Sequence, residues 1–229
     1  LGDILTISGV YLQDWLHEQD ATNWRVGAQL GGASRAVADI GSHLMDLVEF
    51  VGGSSITTVR ARTLTAYPTR AGVPVESEDA ATVIVTLADG ALGTLTVSQV
   101  ALGHRNDLTL EFSGSAAGVT FRQEGPDVLE VHEPEGTRLV ARGSAGSSPD
   151  SLRLSTVPPG HPMGYQDAFD SFVGDSYHAM AGDVPAGLPT FADGLRSAIL
   201  VDAVMESART GDTVEVAGSP ALEAADVRR

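Results

Sequence analysis

Two hydrophobic periods divide the chain. Ile4, Leu5, Ile7, Val10 and Tyr11 lie among Thr and Ser, which predicts a strand over 4–12. A polar loop follows, through Trp15, His17 and Glu18 to Asn23-Trp24-Arg25, and Gly31-Gly32 breaks the chain. From there the period changes. Ile40, Leu44, Leu47, Val48 and Val51 recur at i, i+4, i+7, i+8 and i+11, one face of a helix over 35–51 that Gly52-Gly53 stops. The middle returns to β, with strands expected over 55–65, 80–88, 91–101, 107–113, 117–122, 127–132 and 137–142. Ala88-Asp89-Gly90 supplies a tight turn, and the Thr/Val/Ile/Leu alternation on either side suits an antiparallel sheet covered on one face.

A Gly/Ser/Pro-rich loop over 143–160 leads to two closing helices. The first, over 164–181, carries Tyr165, Ala168, Phe169, Phe172 and Val173 on one face. The second runs from the N-cap candidate Thr190 to about Arg209, with Gly211 after it. A short strand at 213–216 and a tail at 217–229 end the chain. The order β, α, many β, α, α predicts a single α+β domain over 1–216, an open and mostly antiparallel sheet with helices on one face.

Composition narrows the function classes. The 229 residues carry a formal charge of −16, and all 14 cationic side chains are Arg. Nucleic acid and anionic membrane are disfavoured as partners, since both ask for a basic surface. A mean hydropathy of +0.04 is that of a chain with a core to bury. No run of about 18 apolar residues spans a membrane. Without cysteine there is no disulfide, thiolate metal site or Cys nucleophile. No G-x-G-x-x-G, P-loop or G-x-S-x-G pattern is present.

The most informative cluster is on the first helix. Asp39, His43 and Asp46 at i, i+4 and i+7 share a face beside the apolar stripe. A carboxylate one turn from an imidazole can fix its tautomer, and the pair can move a proton to or from a substrate hydroxyl. The same spacing describes a solvated ion pair, and spacing alone does not separate the two. A third ligand at recognisable spacing is missing, so no metal is expected. Gly41, between Asp39 and His43, suggests close approach of another group to the helix. Trp24-Arg25 could stack on and hydrogen-bond a sugar ring or a carboxylate; a Trp under a loop with Arg at its rim fits equally. His161 and Tyr165, at a helix start, are further ligand candidates, and Tyr11, Gln13, Asp14 and Trp15 form another polar-aromatic group.

Gly31-Gly32 followed by Ala38-Asp39-Ile40-Gly41-Ser42-His43 and Asp46-Leu47 resembles the signature of the glucose–fructose oxidoreductase, inositol dehydrogenase and MocA (Gfo/Idh/MocA) family. Gly9 to Leu16 is similar to the first strand of its C-terminal domain, and Gly164-Tyr165 with Ala168-Phe169 to a later helix. Asp193-Gly194-Leu195-Arg196, Asp202-Ala203, Ser207 and Gly211 match its closing helix, so the likeness covers about 1–216. The resemblance implies a dihydrodipicolinate-reductase-like C-terminal domain that binds substrate and mediates oligomerisation. It implies an NAD- or NADP-binding Rossmann domain upstream of Leu1, with the family's catalytic Lys at its end. The start at Leu1 and the absence of Lys fit a fragment of that kind. The implied reaction is hydride transfer to or from a secondary carbinol of a sugar, cyclitol or related polyol. His43 would be the general acid/base and Asp39 would bind a substrate hydroxyl and orient His43. Trp24, Arg25, His161 and Tyr165 would contact substrate. The cofactor would sit mainly on the other domain, no metal would be needed, and this chain alone would be inactive. A homo-oligomer through the open sheet face and a bacterial, cytoplasmic setting are also expected. The alternative is a stand-alone, non-catalytic carbohydrate-binding or dimerisation module.

Overall fold

The computed structural model describes residues 1–218; the end of the tail, 219–229, lies outside the described residues. Nine strands form one sheet in the order β10-β9-β8-β7-β1-β6-β5-β2-β11. They are β1 (Ile4–Leu12), β2 (Ile56–Leu64), β5 (Ala80–Leu87), β6 (Leu92–Ser98), β7 (Asp107–Gly114), β8 (Gly118–Arg122), β9 (Val128–Glu133), β10 (Gly136–Ala141) and β11 (Val214–Glu215). A separate small hairpin pairs β3 (Thr69–Arg70) with β4 (Val73–Pro74). Only β1 and β6 run parallel; the other pairings in the sheet are antiparallel. The expected α+β architecture, with an open and mostly antiparallel sheet, is what the chain adopts.

Register follows from alternation. Ile7, Gly9 and Tyr11 of β1 face inward with Leu95 and Val97 of β6, Val83 and Val85 of β5 and Leu108, Leu110 and Phe112 of β7. The opposite face carries Ser8, Thr82, Thr94, Thr96, Thr109 and Glu111, with exposed Ile84 and Leu92 among them. At the 88–90 turn, Gly90 takes the left-handed conformation (φ +92°) that the Asp-Gly pair predicts.

Two helices cover the inner face: α2 (Ser42–Gly52), entered through a π-turn at Val37–Gly41, and α5 (Phe191–Thr210). The π-turn was not foreseen. The Ser42 N–H reaches back five residues to the Val37 carbonyl, which inserts one residue into the helical register. The buried side is therefore Val37, Ile40, Leu44, Met45 and Val48; Leu47 is half-buried and Val51 is exposed. A Cβ at Gly9 would come to 2.8 Å from Leu95 and 3.1 Å from Leu44, so this glycine lets α2 settle onto β1. Gly41 does not serve a comparable approach: a Cβ there would meet Val37 at an ordinary 3.4 Å. Helix α5 is fixed to β2 by Arg196, which pairs with Glu49 and donates to the Ile56 carbonyl.

The other closing helix, α4 (Tyr165–Met180), behaves differently from its sequence pattern. Among the described residues its apolar face stays uncovered: Tyr165 is 82% exposed, and Phe169, Phe172, Val173, Tyr177 and Met180 are also exposed. The inner face of the central strands is occupied by α2 and α5. Polar ties hold α4 instead. Asp175 receives Arg153 of α3 (Pro149–Arg153) at 2.6 Å, and Asp167 receives Thr156 at 2.8 Å. No helix among the described residues is long and apolar enough to cross a membrane.

Candidate active site

The entry to α2 is built by two adjacent acids just before β5. One carboxylate oxygen of Glu78 accepts from Ser34 Oγ (2.8 Å), Arg35 N (2.9 Å) and Val37 N (2.9 Å), which caps the otherwise unpaired N–H groups of the helix start. Asp79, fully buried, bridges two buried guanidiniums, Arg35 and Arg70, the latter at 2.7 Å. Its second oxygen accepts from Ala66 N at 2.7 Å. Burial pulls the Arg35 guanidinium below its ordinary value, and Asp79 acts against that shift. This cluster clamps the segment leading into the π-turn to the sheet.

Asp39 sits in the π-turn, half-exposed, with its carboxylate held from two sides. Gln99 Nε2, just past the end of β6, donates to Oδ2 at 2.8 Å. Arg25 Nε lies 3.3 Å from Oδ1. Arg25 also stacks its guanidinium 4.4 Å from the ring centre of Trp24, which is 56% exposed. Both belong to a single 3₁₀ turn, Trp24–Val26, capped by the Asn23 side chain accepting from Arg25 N at 3.1 Å. The turn is pressed against α1 (Ala28–Gly31), where any Cβ at Gly31 would overlap the Arg25 carbonyl. The Gly31-Gly32 pair thus shapes the loop that delivers Trp24 and Arg25 to Asp39.

His43 lies one turn further on and is exposed; among the described residues its ring makes no hydrogen bond. Asp39 is engaged by Gln99 and Arg25 rather than by His43. Next on this side, the Asp46 carboxyl is held above its usual range, first by desolvation, then by Asp193 and Glu49, with His43 opposing.

The other candidates fall elsewhere. Arg142, just past β10, pairs with Asp127 and donates to the His161 carbonyl at 2.7 Å. That places His161 at the β10 edge, five strand intervals from β6, about 24 Å measured along the sheet. Tyr165 begins α4 and stacks on Phe169. An open groove of about 460 Å³ between α3 and α4 is lined by Arg153, Asp175 and His178 and is separate from Asp39. Trp15 Nε1 donates to Gln13 Oε1, Gln13 Nε2 donates to Asn106 Oδ1, and Asp14 accepts from Gly103 N, so that group secures the loop after β1. Gln99, Glu78 and Asp79 were not singled out in the sequence. The Ser77-Glu78-Asp79 run before a strand of apolar and Thr residues, and a Gln closing β6, were the available signals.

The chain belongs to the GFO/IDH/MocA family: the model for the GFO/IDH/MocA C-terminal domain matches residues 1–120. Levoglucosan dehydrogenase from Pseudarthrobacter phenanthrenivorans is 28% identical over 242 residues, covering 94% of this chain and 60% of that enzyme. The chain therefore spans about 60% of that relative's length. The crystal structure of an oxidoreductase domain protein from Kribbella flavida superposes with a TM-score of 0.85 at 31% identity, over 95% of this chain and 59% of that one. Levoglucosan dehydrogenase in complex with NADH and levoglucosan gives a TM-score of 0.83 at 29% identity, over 94% and 59%.

Proposed function

We propose that this chain is the substrate-binding and proton-transferring part of a nicotinamide-dependent dehydrogenase. The enzyme would move hydride to or from a secondary carbinol of a sugar, cyclitol or related polyol. The observation that carries this reading is the disposition of Asp39 and His43. Both lie on the solvent side of a helix whose other side is buried against the sheet, so both can meet a ligand without disturbing the core. The similarity to a dehydrogenase solved with NADH and an anhydrosugar supports it.

Asp39 accepts a hydrogen bond from a substrate hydroxyl through Oδ1 and aligns the carbinol. His43 takes the hydroxyl proton during oxidation and returns it during reduction. Trp24 offers an apolar ring face to the sugar, and Arg25 closes the polar rim. His161 and Tyr165, expected as further contacts, lie at the β10 edge and the start of α4, too far within this chain to touch the same sugar, and are left out of the proposed set.

The described residues do not themselves fit a dinucleotide. No strand here runs through a Gly-rich turn into a helix that could cradle a pyrophosphate. NAD or NADP would be held mainly by a Rossmann domain, and supplies the hydride exchange when bound. The uncovered apolar face of α4 is the kind of surface such a domain would cover, and this chain alone would then be inactive. The scheme uses no metal. We further place the working enzyme in the cytoplasm, as a homo-oligomer joined through the Thr-rich sheet face.

The test is cofactor reduction by the enzyme that carries this chain, with levoglucosan, myo-inositol and D-glucose as polyols and NAD and NADP as acceptors. Reduction with at least one pair supports the reading. Tight polyol binding with no reduction by any pair favours the carbohydrate-binding module.

A further inference from the structure

Gln99 is a large polar side chain with no solvent exposure. Its backbone is pinned on both sides: the N–H donates to the Asp79 carbonyl at 2.9 Å, and the carbonyl accepts from Leu16 N at 3.0 Å. The side chain therefore projects from a fixed point at the end of β6. Its Nε2 donates to Asp39 Oδ2 at 2.8 Å, while its Oε1 has no partner among the described residues. An apolar side chain of similar size would fill the same space without a buried unpaired oxygen. Packing thus does not account for an amide here, but a requirement at Asp39 does.

Asp39 has reason to need an external hold. It lies in the π-turn, where the helical ladder is widened, and both partners of its carboxylate come from outside the helix. Those partners differ in kind. Gln99 is fully buried with its backbone bonded on both sides; Arg25 is a partly exposed side chain on a one-turn loop. One oxygen is held by a buried donor at 2.8 Å and the other by a solvent-accessible one at 3.3 Å. Only the amide's N–H₂ end can face an ionised carboxylate, so the bond also fixes which way the amide points.

We infer that Gln99 is a positioning residue: it holds Asp39 by Oδ2 so that Oδ1 is presented to the substrate hydroxyl, with Arg25 the partner displaced when substrate enters. This rests on the reading of Asp39 given above, and acts through Asp39 alone.

The test uses Gln99→Met, which keeps the volume and removes the donor, with Asp39→Asn and the double variant. All are measured in the enzyme that carries this chain, on the best polyol and cofactor of the panel. Gln99→Met should lower kcat about tenfold to a hundredfold, the cost of a misplaced orienting group, with KM within about threefold. The double variant should be no slower than Asp39→Asn alone, because a residue acting through Asp39 has nothing left to act on. An unchanged kcat in Gln99→Met, or losses that multiply in the double variant, would overturn the inference while leaving Asp39's role intact. An unchanged kcat in Asp39→Asn would remove the reading of the site and this inference with it. A second measurement does not depend on activity or on the folding of Gln99→Met. In this chain, the NMR signals of the Gln99 side-chain amide should be slow to exchange and should move in Asp39→Asn. Rapid exchange, or signals that stay in place, would contradict the bond.

Discussion

At the scale of single residues, the site depends on groups that never meet a ligand. Asp79 compensates two guanidiniums buried with it, Arg35 and Arg70. Asp79→Ala would leave both charges without their carboxylate, and we expect a loss of about 3–5 kcal/mol in chemical denaturation. Asp46 works in the opposite sense. Its carboxyl is pushed up in the folded chain by desolvation and by Asp193 and Glu49. The folded state therefore binds that proton more tightly than the unfolded chain, and stability falls as pH rises from the ordinary carboxylate value through the raised one. Asp46→Asn should flatten that slope and stabilise the chain at neutral pH by under about 1 kcal/mol, as expected of a surface group, readable from melting temperatures across the acid range. Asp39 and His43 were legible in the sequence because their spacing and neighbours form a pattern. Gln99 was not, since one polar residue ending a strand has no period, and its partner lies 60 positions away.

At the scale of elements, alternation located the central strands of the main sheet, because one buried face imposes a strict period of two there. The first helix was located but its inner face was misdrawn. The π-turn adds a residue that no hydrophobic period reveals, so Val37 and Met45 are buried and Val51 is not. Helix α4 shows the converse: its apolar stripe was correctly read, but a stripe states what a helix can bury, not that this chain buries it. The α2 entry also offers a test of packing. Gly41 has helical backbone angles and borders a small void of about 10 Å³, where a Cβ would make ordinary contact with Val37. Gly41→Ala should therefore stabilise the chain by about 0.5–1 kcal/mol, through reduced freedom of the unfolded state. A loss of stability in thermal melts would mean that the π-turn tolerates no added methyl.

At the scale of the whole molecule, the apolar side of α4 and the outer face of the sheet have no covering layer among the described residues. Ile84 and Leu92 stand exposed among Thr and Ser on strands in the middle of that sheet. If this face joins two copies, light scattering at micromolar concentration should give a dimer or larger species, and Ile84→Arg should shift it toward monomer. A monomer at all concentrations would leave the sheet face free. Fold class and family were readable from one sequence because they rest on many residues in order. Partners were less so, since a surface is defined by what does not pack. The central claim concerns proton transfer at the start of α2. Its most direct test is turnover of His43→Asn against the unaltered enzyme on the same polyol and cofactor, with polyol binding measured alongside. The account predicts a fall in kcat of about 100-fold to 10,000-fold with substrate binding largely kept. A kcat within a few-fold of the original would contradict it.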